Sequence, residues 1–255
     1  MRAIILNLIA HTVIPLNYVI AKYLSSEIHI FQIIWARHCF TVLLALPILF
    51  FFFKSNFVWT EKPKLQLVRG LLLLSVNICF YYAVSHISLS KALTLTFISP
   101  LVVTVFSSIF LSEKVGIKRW SAVVVGFTGA IVVIRPGYIP LDMGSLAALS
   151  AGTMYAFYLI ITRKLSISDN SMLTLLITGL IGSFAMSFTI SFVWVPPTLA
   201  QWLLLSLIGV VTLVGHFLLI LSFKYAEASK LAPISYFEVV TNTIYGYSLF
   251  NHFPD

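Results

Sequence analysis

The chain has 255 residues, of which 60% are hydrophobic and only 9% charged, and its mean hydropathy is +1.01. A water-soluble domain carries about 25% charged residues, and a chain of this size still exposes much of its surface, so lipid must be the solvent for most of it. The net charge of +8 does not point to nucleic acid, because the basic residues lie in short loops between apolar runs, as the positive-inside rule expects, and no nucleic-acid-binding motif is present.

A spanning helix needs about 20 mainly apolar residues. Nine such runs are predicted, at roughly 3–22, 30–53, 67–87, 91–112, 118–135, 143–163, 171–195, 201–223 and 230–250. The first carries His11 and Asn17. The second carries Arg37, in Trp35-Ala36-Arg37-His38, and Cys39. The third holds Cys79, Asn77, Tyr81 and Tyr82, and the fourth is interrupted by Pro100. The fifth is the shortest, and its flanking Lys118, Arg119 and Arg135 can snorkel to the interfaces. The sixth contains Tyr155 and Tyr158, the eighth His216, and the ninth Pro233, Tyr236, Glu238 and Asn242. Both cysteines sit in apolar runs and read as small hydrophobes. No Cys/His spacing suggests a metal, and no cofactor is expected.

Loop charge sets the orientation. With the N-terminus inside, twelve basic residues fall on the inner side, including Arg2, Lys54, Arg69, Lys114, Arg163 and Lys224. Only Lys22, Lys91 and Arg135 stay outside. The expected placement is therefore the cell inner membrane, multi-pass, with a cytoplasmic N-terminus.

A shift of 139 residues brings Gly70 onto Gly209, Leu74 onto Leu213, Ser90-Lys91 onto Ser229-Lys230, and Asn77 onto His216. The apolar runs fall into register too. Five is an odd number of crossings, so two tandem five-helix units insert with opposite topology, an arrangement characteristic of secondary transporters. The expected fold class is all-α membrane: a polytopic helical bundle of two inverted five-helix repeats, nine helices present, divided at 1–137 and 138–255.

Intramembrane charge is the main pointer to a site. A charge near the bilayer centre costs roughly 2.5–3.5 kcal/mol even on the lenient insertion scale. Glu238 is read either as a ligand for a cationic substrate group or proton, or as an ion-pair partner of Arg37. Arg37 suits a substrate carboxylate, the same ion pair, or backbone carbonyls. Asn77 and His216, equivalent under the shift, suit a central site between repeats or ordinary interhelical hydrogen bonds. Tyr81, Tyr158 and Tyr236, with Tyr82 and Tyr155, suit stacking on a flat ring or cation–π contact, or helix packing. Pro100 and Pro233 are candidate kinks. Glu113 and Lys114 read as a turn and cap.

Arg69-Gly70-Leu71-Leu72-Leu73, Phe110-Leu111-Ser112-Glu113-Lys114, Arg119-Trp120 and Gly126-Phe127-Thr128-Gly129 resemble the first repeat of EamA-type transporters of the drug/metabolite transporter superfamily. The resemblance implies ten helices with both termini cytoplasmic, against which the tenth is missing here. Ala232 to Val240 and Phe250 to Asp255 are similar to the branch that contains S-adenosylmethionine uptake carriers. The expectation is thus a secondary carrier of a small organic solute, with S-adenosylmethionine uptake as one candidate. Export of amino-acid metabolites or drugs, or riboflavin import, are alternatives on the same scaffold. A truncated remnant that transports nothing is an alternative of another kind. An enzyme is not expected, since HExxH, GxSxG and paired intramembrane aspartates are lacking. The expected partners are the solute and the bilayer, and a homodimer is left open.

Overall fold

The structure, a computed structural model, describes residues 1–53, 59–87, 89–134 and 142–250. Lys54, Arg135 and the terminal residues 251–255, which the sequence reading used for orientation and family likeness, lie outside these.

Backbone N–H and C=O groups in lipid must be satisfied within their own segment, so long apolar runs become helices. The described residues form helices joined by turns and short loops, without strands. They form α1 (Arg2–Val13), α2 (Leu16–Leu24), α3 (Ile30–Phe53), α4 (Pro63–His86), α5 (Leu89–Thr96), α6 (Ser99–Phe110), α7 (Ile117–Ile134), α8 (Met143–Ser166), α9 (Ser171–Ile190), α10 (Leu199–Tyr225), α11 (Ala228–Leu231) and α12 (Phe237–Phe250). A 3-10 turn, Ala232–Tyr236, joins the last two. The expected runs appear as rods, three of them broken. α1 and α2 part at Pro15, α5 and α6 just before Pro100, and α11 gives way to the 3-10 turn at Pro233. A proline inside a helix leaves an upstream carbonyl without its amide partner, which suits it to these break points.

Seven rods among the described residues are long and apolar enough to cross a membrane, counting α1–α2 and most of α5–α6 as one each. The fifth and ninth rods are helical but shorter: α7 has 18 residues and α12 has 14. Polar residues cap the loop ends. Asn170 accepts from the Met172 and Leu173 amides at the start of α9. Thr198 and Gln201 bond reciprocally at the start of α10. Asp142 accepts from the Ser145 amide at 2.7 Å, and that bond holds its carboxyl below the usual carboxylate range.

Burial is inverted relative to a soluble protein. Phe51, Ile109, Phe184, Phe188, Phe192 and Leu199 are exposed, while Asn7, Gln32, Arg37, Arg69 and Thr174 are buried. Such an apolar exterior is what lipid selects.

The packing runs in matched pairs. α4 lies against α8 and α9; α10 lies against α1 and α3. α3 and α9 pack on each other. α5 and α6 cover α8, and the α11–α12 rod covers α1. Gly152 lets α8 approach the α5–α6 break, where a Cβ would sit 2.7 Å from the Thr96 carbonyl oxygen and 2.9 Å from the Ile98 side chain.

One sequence expectation needs correction. Arg69 was counted among the inner-loop charges. α4 begins at Pro63, four residues before the apolar run, and Arg69 is wholly buried inside the bundle. The Pro-Lys-Leu-Gln start supplies a first turn that hydropathy alone does not register.

Candidate functional site

The three broken rods meet at one place. Ile14, Asn17 and Tyr18 flank the first break, Phe97 and Ser99 the second, and Ser235 the third, and all line a single cavity. It holds about 830 Å³ of atom-free space, part of it continuous with the surroundings. Discontinuous helices bring backbone polar groups to mid-membrane where they line a cavity, the one setting in which lipid tolerates them.

Glu238 reaches the cavity from the first turn of α12. It is 9% exposed, and its Oε2 lies 3.1 Å from His11 Nδ1. α1 and α12 are stitched together beside this pair. Thr241 Oγ1 donates to the His11 carbonyl at 2.9 Å, and the Tyr245 hydroxyl to the Thr12 carbonyl at 2.9 Å. The carboxylate is therefore held on one wall.

Arg37 lines the cavity from α3 and is 7% exposed. Among the described residues no carboxylate lies within ion-pair distance of it, and its Nε has no hydrogen-bond partner. The Arg37–Glu238 ion pair that the sequence left open is not formed; among the described residues the ion-pair partner of Glu238 is His11. Two opposite charges thus face one space, the cation unneutralised.

Asn77 and His216, matched by the 139-residue shift, both line the cavity, and so does Tyr81. The Asn77 Nδ2 is buried without a partner. So is the Nδ2 of Asn17, whose Oδ1 accepts from Thr212 at 3.1 Å. Tyr155 lines the cavity, with its ring stacked 5.6 Å from that of Tyr158. Tyr158 itself stands one layer back, bonded to Arg69 and His216. Tyr236 also stands outside the lining. Its hydroxyl donates to the Phe97 carbonyl at 3.3 Å, occupying an acceptor at the α5–α6 break. Tyr82 is exposed and stacks on His86. Tyr18, Thr96, Ser99 and Ser235 were not singled out from sequence. A lone tyrosine or serine in an apolar run carries no signal of which way it faces.

At one end of the bundle, polar side chains lace the two halves of the chain together. Glu113, just past α6, accepts from the Ala228 and Ser229 amides at 2.8 and 2.9 Å and from the Ser229 hydroxyl at 2.7 Å. Arg163 Nε lies 3.7 Å from the Glu113 Oε1 that accepts from Ala228. Arg119 joins at 2.5 Å to Glu227 and 2.7 Å to Ser229. Glu113 is therefore a cap, as its position suggested, but for α11 in the other half of the chain. No cluster of metal-binding side chains occurs among the described residues.

An all-helical membrane bundle with a charged cavity at the meeting point of broken rods defines a class: polytopic membrane proteins that handle a small polar solute. The chain belongs to the EamA-like transporter family, which matches residues 1–135 and 142–255. It is a solute transporter rather than an enzyme. It is 28% identical over 239 residues to an S-adenosylmethionine uptake transporter of Rickettsia bellii, covering 94% of this chain and 82% of that protein. It is 30% identical to the one from Rickettsia felis, covering 94% and 81%. The pseudopaline exporter CntI of Pseudomonas aeruginosa is 29% identical over 76% of this chain and 69% of its own. A crystal structure at 14% identity superposes with a TM-score of 0.84 over 99% of this chain and 91% of its own, a likeness in fold alone.

Proposed function

We propose that this chain takes up S-adenosylmethionine, or a solute with the same charged ends, across a bacterial inner membrane by alternating access. The observation that carries this reading is the unneutralised Arg37 guanidinium facing the Glu238–His11 pair across one cavity. A substrate carboxylate binds Arg37 through charge-assisted, bidentate hydrogen bonds. Its ammonium or sulfonium group lies toward Glu238. Tyr155 and Tyr81 offer ring faces for a flat base or for the cation. Tyr158 and Tyr236 support this wall from behind and beside it.

The residue matches at a 139-residue shift, and the correspondence between α4 on α8 and α9 and α10 on α1 and α3, support a pair of inverted repeats, 1–137 and 138–255, rocking about the site. Loop charge supports a cytoplasmic N-terminus, which places the Glu113 rim on the cytoplasmic side.

The test is uptake of labelled S-adenosylmethionine into cells expressing the chain, with insertion verified in the membrane fraction. Accumulation above an empty-vector control is expected. A well-inserted protein that accumulates nothing sinks the substrate assignment. Riboflavin, whose ring system needs neither charge, should compete poorly. Export of a similar zwitterion is the second reading, favoured by the likeness to the pseudopaline exporter. Faster loss of preloaded label than in control cells would support it.

A further inference from the structure

Behind the cavity lies a chain of hydrogen bonds that starts from an obligate donor. Arg69 is fully buried, with no carboxylate within ion-pair distance among the described residues. Its Nε donates to Thr162 Oγ1 at 2.7 Å, one terminal nitrogen to Thr178 Oγ1, and the other to the Tyr158 hydroxyl at 2.7 Å. Both threonines point their own protons at backbone carbonyls one turn back, those of Tyr158 and Thr174. They are thereby left as acceptors for the guanidinium. The Arg69 carbon also lies 4.5 Å from the centre of the Tyr158 ring. The site is built to hold a cation in place.

An arginine only donates. The Tyr158 oxygen therefore accepts from Arg69, and the tyrosine proton needs an acceptor of its own. His216 Nδ1, at 3.2 Å, is the one further partner that the described residues offer the Tyr158 hydroxyl, and the acceptor we assign to it. A neutral imidazole that accepts at Nδ1 carries its one proton on Nε2. His216 lines the cavity, and no described residue bonds its Nε2.

We propose that Arg69 and Tyr158 are positioning residues that fix His216 in the Nε2–H tautomer, so that it presents a hydrogen-bond donor to the solute. This rests on the cavity being the solute site. The group that meets His216 must then be an acceptor: a carboxylate, a carbonyl or an unprotonated ring nitrogen. A solute with an N–H or O–H there meets donor against donor and is rejected. The Asn77 amide, also an unpartnered donor, adds to the same bias.

The test has two arms. In detergent-solubilised protein labelled with 15N-histidine, the His216 signals are assigned by their loss in His216→Gln. The expected spectrum is one neutral ring with Nδ1 bare and Nε2 protonated, giving way to mixed tautomers in Tyr158→Phe. A wild-type ring that is charged or protonated at Nδ1, or a spectrum unchanged by Tyr158→Phe, overturns the proposal. In the second arm, Tyr158→Phe raises KM for labelled S-adenosylmethionine about threefold to tenfold, the worth of one hydrogen bond, more than it lowers the maximal rate. His216→Gln, which keeps an N–H near the Nε2 position, recovers part of the affinity that His216→Leu loses. Unchanged KM in both Tyr158→Phe and His216→Leu removes the donor from recognition. If the wild type takes up no label, the transport reading fails and the spectrum alone decides this one.

Discussion

At the scale of single residues, the cavity holds two charges of very different standing. Glu238 has a partner in His11, whereas Arg37 is buried without one. An uncompensated buried charge is a burden on the fold, so Arg37→Met should raise the melting temperature of the solubilised protein by a few degrees while reducing uptake at least tenfold. A fall in stability with uptake intact would make Arg37 a structural residue. Glu238→Gln keeps the shape and removes the charge. It should raise KM by about tenfold to a hundredfold, the range for a hydrogen bond to a charged group, in protein that still inserts. Wild-type kinetics in this variant would take Glu238 out of the site. Both residues were legible in the sequence because ionised groups are expensive in lipid and therefore conspicuous. Their relation was not, since nothing in the order of residues says that His11 rather than Arg37 stands beside Glu238. The tyrosines were less legible still. Five were candidates, and sorting Tyr155 and Tyr81 into the lining, Tyr158 and Tyr236 behind or beside it, depends on helix rotation that a uniformly apolar run does not encode.

At the scale of elements, the breaks matter more than the helices. Apolar run length located the rods, but Pro15 was passed over as part of a continuous span, although its break contributes Ile14, Asn17 and Tyr18 to the lining. Pro100 and Pro233 were recognisable as kinks without any sign that they converge. α8 seats against the α5–α6 break only because Gly152 has no side chain. Gly152→Val should cost about 1–3 kcal/mol from overpacking, visible as a lower melting temperature, and should reduce uptake by misplacing Thr96 and Phe97. Gly129 on α7, whose added Cβ would meet nothing within 4 Å, is the control, and Gly129→Ala should leave both measurements near wild type. Equal damage from the two substitutions would mean that the break is not held by this contact. Arg69 shows where run length misleads: a residue one turn inside a helix looks like a flanking charge when the first turn is polar.

At the scale of the whole molecule, the Glu113 rim binds the end of the fourth rod to the start of the ninth. Glu113→Ala frees the Ala228 and Ser229 amides and should bias the bundle toward opening there. With Cys39 and Cys79 replaced by alanine, a cysteine at Ser235 should then be labelled faster from the rim side by a membrane-impermeant reagent. Unchanged labelling would mean that the rim is not what closes the path. That Arg37 and Glu238 face each other across the cavity without pairing has an electrical consequence as well. Arg37 and Glu238 line the cavity as one cationic and one acidic side chain, so a solute carried without a second ion brings only its own charge across. S-adenosylmethionine has a sulfonium, an ammonium and a carboxylate, one net positive charge. Moving it down an inside-negative potential releases about 2.3 kcal/mol per 100 mV, roughly a fiftyfold accumulation with no second ion. In proteoliposomes, a potassium diffusion potential set with valinomycin should therefore drive the label inward when the interior is negative and hold it out when reversed. Uptake indifferent to voltage would mean that a compensating charge travels with it.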